Sequence, residues 1–212
     1  MKQYGPEAFQ ADTGVSRETL AQLQAYVDLL QTWNQKINLI GKSTATDVWQ
    51  RHILDSAQVF PLIPKGCRAL LDLGSGAGFP GLILGIMGIP GIELVEADQR
   101  KAAFLREAAR VAGARVAVHA RRIEDLPAKR VDVITARALA PVAELLDLSA
   151  PFLDSESVCI FLKGQNVEVE LTDAHKRWTI CVDQHASRTD PRGTLLCIKE
   201  VSRVPPESAG NP

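Results

Sequence analysis

The stretch LLDLGSGAGFPG, Leu70 to Gly81, carries the residue types most directly suited to chemistry. An apolar run leads through Asp72 into Gly74, Gly76 and Gly78, with Ser75 and Ala77 between them. Glycines at alternate positions let the backbone turn tightly and approach a ligand closely. The pattern is not a dinucleotide fingerprint, because Phe79 stands where the third glycine belongs. An acid beside the turn, Asp72, disfavours a pyrophosphate there and suits a ligand with a cationic, amine-bearing end. S-adenosylmethionine has such an end and no phosphate.

A second acid supports this. Glu96 closes the next apolar run, Ile92 to Ala97, about 20 residues past the loop. Its two acceptor oxygens suit ribose hydroxyls, and the plainer reading is an exposed acid at a strand end. The third apolar run is followed by Arg121-Arg122-Ile123-Glu124-Asp125, where an acid and backbone N–H groups can flank an adenine.

These residues need a scaffold that brings strand ends together. Runs of strand length recur at Ala69–Leu73, Ile92–Ala97, Val116–His119, Val131–Ala136 and Val158–Leu162. Helical stretches fall between them at Pro80–Met87, Gln99–Ala112, Pro141–Leu148 and Asn166–His175. Such alternation predicts a parallel sheet with helices on both faces. Trp178–Val182 and Leu195–Val201, joined by a polar loop with Asp190, Pro191, Arg192 and Gly193, predict an antiparallel hairpin at the end. The fold class expected is α/β: a doubly wound, mostly parallel, seven-stranded sheet with an N-terminal helical extension. Within that extension Ser16 caps a helix carrying Leu20, Leu23, Val27, Leu30 and Trp33 at helical spacing. Thr46 or Asp47 caps a second, with Val48, Ile53, Ala57 and Phe60 inward, ended by Pro61 and Pro64. The division expected is a helical extension over 1–66, a ligand-binding domain over 67–204 and a disordered tail over 205–212.

Composition narrows the function class. With 46% hydrophobic and 23% charged residues the chain has material for a core, which excludes disorder throughout. No apolar run approaches the roughly 20 residues needed to span a bilayer. Gly5 and Pro6 break the N-terminus and no apolar run follows, so no signal peptide is read there and a cytoplasmic location is expected. Cys67, Cys159, Cys181 and Cys197 include no C-x-x-C pair, so reduced thiols are expected and no metal site. From Asp98 to Arg137 ten Lys or Arg stand against five Asp or Glu, a local charge of +5 in a chain of net charge −1. A basic middle is compatible with a polyanionic partner, and on charge alone with a solvated helix face.

The glycine loop, EADQRKAAFLREAAR, DVITARALAPVAELL, Phe161-Leu162-Lys163-Gly164 and the upstream WNQKINL and RHILDS together resemble the RsmG (GidB) methyltransferases. The resemblance spans roughly Leu30 to Lys199. It implies a class I, Rossmann-like methyltransferase fold, S-adenosylmethionine as cofactor, and methylation of N7 of one guanine in bacterial 16S ribosomal RNA. It implies that Gly74 and Phe79 belong to the cofactor loop, in which the glycine spacing already makes Gly76 a cofactor-binding candidate, that Ile123 and Glu124 lie beside the adenine, and that Arg137 lies near the cofactor after the fourth strand. Two departures stand out. Asp154-Ser155-Glu156-Ser157 replaces the usual Pro-Gly-Gly turn, and Glu96 replaces the usual Asp.

Guanine N7 carries a lone pair and no proton, so its methylation needs alignment and exclusion of water rather than a general base. His52, Asp55 and Ser56, on one helical turn, then read as a local hydrogen-bond cluster and not a triad. A donor to N7 would block its lone pair. Arg137 therefore reaches guanine O6 or a phosphate if it touches the base, and otherwise holds the cofactor carboxylate, which the resemblance favours. Lys163 is a candidate for RNA phosphate or guanine O6, or a lysine capping a strand end. Arg121 and Arg122 are candidate RNA contacts. The N-terminal helices, with Trp33, Asn34, Lys36, Asn38 and Lys42, form an RNA platform or a cap on a sheet edge, with Trp33 in the core. The partner expected is 16S ribosomal RNA or the small ribosomal subunit, met by a monomer. The alternative is a non-catalytic RNA-binding assembly factor on the same fold, against which the intact glycine loop argues.

Overall fold

The computed structural model describes residues 4–205, so the expected tail lies outside the described residues from 206 onward. Seven strands form one sheet: β1 (Leu70–Leu73), β2 (Ile92–Val95), β3 (Val116–His119), β4 (Val133–Arg137), β5 (Val158–Lys163), β6 (Trp178–Ala186) and β7 (Thr194–Arg203). Their spatial order is β3-β2-β1-β4-β5-β7-β6, all parallel except β7, which runs antiparallel to β5 and β6. The order reverses between β1 and β4, the place where open α/β sheets bind ligands. Helices α4 (Gly81–Ile86), α5 (Gln99–Val111), α6 (Val142–Ser149) and α7 (Val167–His175) follow β1, β2, β4 and β5.

The sheet buries both faces, which explains strands apolar at nearly every position. One face packs with α4, α5 and the N-terminal helices in a core holding Phe9, Tyr26, Leu30, Ile53 and Phe104. The other packs with α6 and α7 around Val142, Leu145, Phe152 and Leu171. The helical extension thus shares its core with the sheet.

The N-terminal region differs from the expectation in two places. A first helix, α1 (Pro6–Thr13), precedes the helix capped by Ser16. Gly5 and Pro6, read as breakers, are its N-cap and first residue, and Gly14 closes it at φ +70°. Its anchor is Phe9, fully buried against Trp49 at 5.5 Å between ring centroids. The Ser16 cap is as expected, its hydroxyl accepting from Thr19 N at 3.0 Å at the start of α2 (Arg17–Asn34). The second expected helix is instead a 3₁₀ turn (Ala45–Asp47), a π-helical turn (Trp49–Leu54) and a short α3 (Asp55–Ala57). Wide π turns cluster at functional sites, and this one carries Arg51 and His52. At the other end β6 and β7 outrun their apolar cores, because each completes the other's backbone hydrogen bonds with polar side chains left in solvent.

Candidate active site

The glycine loop leaves β1 at the switch point. Gly74, Gly76 and Gly78 sit at φ +63°, +57° and +98°, a region that favours glycine. A Cβ on Gly74 would lie 2.7 Å from Leu139 Cδ1, whereas one on Gly76 would meet nothing closer than Gly74 O at 3.9 Å. The backbone at Gly76 therefore faces open space, as a cradle for a ligand requires.

That space is a cleft of about 490 Å³ lined by Gly74, Gly76, Phe79, Glu96, Ile123, Glu124 and Arg137. All seven residues expected at the cofactor site thus line one cleft, from the ends of four different strands, β1 to β4. Arg121 and Arg122 stand exposed on its rim, beside the half-buried Lys101. Glu96 is buried at 8% exposure, accepting from Gly76 N through Oε2 and from Asp98 N through Oε1, each at 2.8 Å. It is not an exposed strand-end acid; it ties the glycine loop to the start of α5.

Asp72 is placed differently from the expectation. It is fully buried and does not line the cleft. In β1 it points to the α4 face, where Thr135, its partner in register, donates to Oδ1 at 2.6 Å. A Cβ on Gly81 would lie 2.6 Å from Asp72 Cβ, so Gly81 lets α4 close over this carboxyl. Burial pushes Asp72 up to about 6, against the opposing Thr135 bond. A residue one step along a strand faces the opposite side of the sheet, which the linear sequence did not reveal.

Arg137 stands between two clefts and lines both. Its guanidinium donates to Asp55 Oδ2 at 2.8 Å, to the Arg51 carbonyl at 3.3 Å and to His52 Nδ1, and lies over the Phe79 ring at 5.0 Å. Burial lowers Arg137 from its ordinary value, and the Asp55 carboxylate opposes that shift. His52 stacks on Phe79 at 4.9 Å, and its Nε2 meets Thr44 Oγ1 at 2.9 Å. Because Nδ1 receives the Arg137 proton, the ring is neutral with its proton on Nε2. Burial first, then Arg137, push His52 down to about 3. The cluster expected to be local is therefore a clamp on a distant arginine, with Ser56 serving only the His52 carbonyl at 2.7 Å.

The second cleft, about 330 Å³, lies between the ends of β4 and β5, the π turn and the tip of the β6–β7 hairpin. Lys163 lines it with a side chain only 9% exposed, paired with Glu170 Oε2 at 2.6 Å and donating to the Ala140 carbonyl at 2.8 Å. The hairpin tip is pinned to the N-terminal region. Thr189 Oγ1 donates to Asp55 Oδ1 at 2.6 Å, and Arg188 N donates to Gln58 Oε1 at 2.9 Å. Neither Glu170 nor Thr189 was singled out in the sequence, which carries no local signal for side chains that matter through partners far along the chain. Asn34 Oδ1 accepts from Leu39 N and Ile40 N, folding the loop after α2 back so that Leu39 reaches the first cleft. Trp33 packs on Phe104 at 5.6 Å. Among the described residues no three His, Cys, Asp or Glu side chains are grouped to hold a metal ion. No described helix is long and apolar enough to cross a membrane.

A family model described as GidB, rRNA small subunit methyltransferase G, matches residues 19–192. The chain is 55% identical over 199 residues to the ribosomal RNA small subunit methyltransferase G of Rhodospirillum rubrum, covering 94% of this chain and 99% of that protein. It is 55% identical over 194 residues to the protein of the same name from Rhodospirillum centenum, covering 92% and 90% respectively. Among solved structures, the fold is similar to ribosomal protein L11 methylase from Lactobacillus delbrueckii subsp. bulgaricus, with TM-score 0.58 and 16% identity over 77% of this chain and 80% of that one. It is also similar to M. jannaschii TYW2 in complex with AdoMet, with TM-score 0.56 and 12% identity over 80% of each chain.

Proposed function

The chain belongs to the rRNA small subunit methyltransferase G family, and from that premise we propose that it transfers the methyl group of S-adenosylmethionine to N7 of one guanine in 16S ribosomal RNA. The observation that carries this is the open glycine cradle at the sheet's switch point, with Glu96 holding the Gly76 amide and a second cleft adjoining across Arg137.

Bound in the cradle, the cofactor would supply an electrophilic sulfonium methyl: the N7–C bond forms in line as the C–S bond breaks, the C–S electron pair leaves with the thioether sulfur, and no proton need be removed for the transfer. The chain therefore needs no base, and His52 is unsuited to be one, since both ring nitrogens are engaged. Gly74 and Gly76 bring backbone against the cofactor, Glu96 stands at the ribose, and Ile123 with Glu124 flanks the adenine. Phe79 and the Arg137 guanidinium above it divide the cofactor cleft from its neighbour. Arg121 and Arg122 meet RNA phosphates on the rim. The protein works as a monomer in the cytoplasm on the small subunit or its RNA.

Two measurements test the reading together. Calorimetric titration should show binding of S-adenosylmethionine and none of NADH. Reverse-transcription mapping of 16S ribosomal RNA should show one N7-methylguanine that appears only when the protein is present. Cofactor binding with no new methylguanine would leave the assembly-factor alternative standing.

A further inference from the structure

We propose that the second cleft receives the target guanine and that Lys163 and Glu170 read its Watson–Crick edge. This rests on the methyl-transfer reading above and adds the residues that select the base.

The cleft adjoins the glycine cradle, since Arg137 and Ala138 line both. Most of its charged groups are saturated by one another. Asp55 accepts from Arg137 at Oδ2 and from Gln58 and Thr189 at Oδ1. Asp190 accepts from Arg51 at Oδ2 and from Arg192 at Oδ1. The Lys163–Glu170 pair is not saturated. Glu170 Oε2 accepts from Val142 N at 3.0 Å and faces Lys163 Nζ at 2.6 Å, while Oε1 has no partner among the described residues. Of its three protons Lys163 donates one to the Ala140 carbonyl, and its ammonium stands in ion-pair contact with Glu170 Oε2, which leaves at least one donor over. One donor and one acceptor are thus left side by side, on side chains only 9% and 22% exposed.

A donor beside an acceptor selects among bases. Guanine presents the acceptor O6 next to the donors N1–H and N2–H, so Lys163 meets O6 and Glu170 Oε1 meets N1–H and N2–H. Adenine presents the reverse, the N6 amine next to the acceptor N1, and would place donor against donor. Uracil matches at O4 and N3–H but has no N7 to methylate. The same arrangement leaves N7 unblocked. Three of the five Arg137 N–H groups are given to Asp55, the Arg51 carbonyl and His52, which leaves this arginine few protons to compete for the N7 lone pair.

The experiment uses small subunits rebuilt with 16S RNA in which the mapped target guanosine is kept or replaced by inosine, which lacks the N2 amine. Methyl transfer is measured as kcat/KM for wild type and Glu170→Gln, with S-adenosylhomocysteine affinity as the check on folding and the cofactor site. Wild type should lose about tenfold or more on inosine, and Glu170→Gln about tenfold or more on guanosine, as expected for a hydrogen bond to a charged group. The two losses should overlap, so that Glu170→Gln discriminates guanosine from inosine by less than about twofold. An undiminished inosine penalty in Glu170→Gln would make Glu170 a strut for the start of α6 and overturn the proposal. Should that variant fail to fold, Lys163→Met is read against 6-thioguanosine, which keeps N1–H and the N2 amine but replaces O6 with a weakly accepting sulfur, and additive losses there overturn it equally. Absence of methyl transfer by wild type to guanosine would instead overturn the enzymatic reading beneath it.

Discussion

The Tyr26 hydroxyl donates a 2.6 Å hydrogen bond to the Ala77 carbonyl, joining α2 to the glycine loop across 51 residues of sequence. The phenol is fully buried, its ring meets Phe79 edge-on at 6.0 Å, and burial holds its pKa well above the ordinary tyrosine value. Tyr26→Phe should cost about 1–2 kcal/mol of stability, because the carbonyl would be left without its partner. Cofactor affinity should fall severalfold with it. Denaturant unfolding and calorimetry measure the two, and a stability loss with unchanged affinity would mean the loop is held elsewhere.

At Gly76 a valine has room within the protein but not within the cradle. Its branched side chain would project into the open cleft, and φ +57° is strained for it. Gly76→Val should remove detectable S-adenosylmethionine binding by the folded protein. Retained affinity in calorimetry would place the cofactor elsewhere.

Glu96 uses both oxygens as acceptors for backbone N–H groups. A glutamine keeps the shape but offers one acceptor, so it turns an NH₂ toward Gly76 N–H or Asp98 N–H. Glu96→Gln should therefore be nearly as damaging as Glu96→Ala, each weakening cofactor binding by roughly tenfold or more. A glutamine variant that binds like wild type would show that the carboxylate's second acceptor is unimportant.

The clamp on Arg137 should show in the pH dependence of stability. The folded-state pKa of His52, about 3, lies below its ordinary 6.5. Between those values the unfolded chain binds the extra proton, so this contribution is full above pH 6.5 and is lost as pH falls toward 3. At pH 5 the loss should be about 1–2 kcal/mol relative to pH 7.5. Unfolding of wild type and His52→Asn at both pH values tests it: the variant should lose less stability on acidification. Equal losses would assign the acid sensitivity to other groups.

Arg121 and Arg122 stand exposed at the rim of the cofactor cleft. If they meet RNA phosphates, the double alanine variant should flatten the dependence of log affinity on log salt by about 0.7 per lost contact to single-stranded RNA. Cofactor affinity should hold. An unaltered slope would shift attention to Lys36, Arg100 and Lys101, which line a neighbouring depression.

Much of this protein is written locally. Strand and helix alternate because β1, β2, β4 and β5 are largely apolar at successive positions and the helices after them begin at Pro80, Asp98, Pro141 and Asn166, residue types that start helices, patterns that need only neighbouring residues. The loop from Gly74 to Phe79 and the acid at Glu96 are legible for the same reason, since a turn and the end of a strand are local events. The family resemblance adds Ile123, Glu124 and Arg137. What the chain brings together over distance was not legible. Asp72 and Glu96 look alike as acids near a glycine loop, yet the pleat sends one under α4 and leaves the other beside Gly76. Arg137 carries no mark of its clamp by Asp55 and His52, more than 80 residues away. Nor does Lys163 announce that Glu170 will pair with it at the edge of a second cleft. Such pairings depend on sheet order and on the angle at which the N-terminal helices dock. Only burial of the whole core fixes those, because no short segment can hide its apolar surface alone.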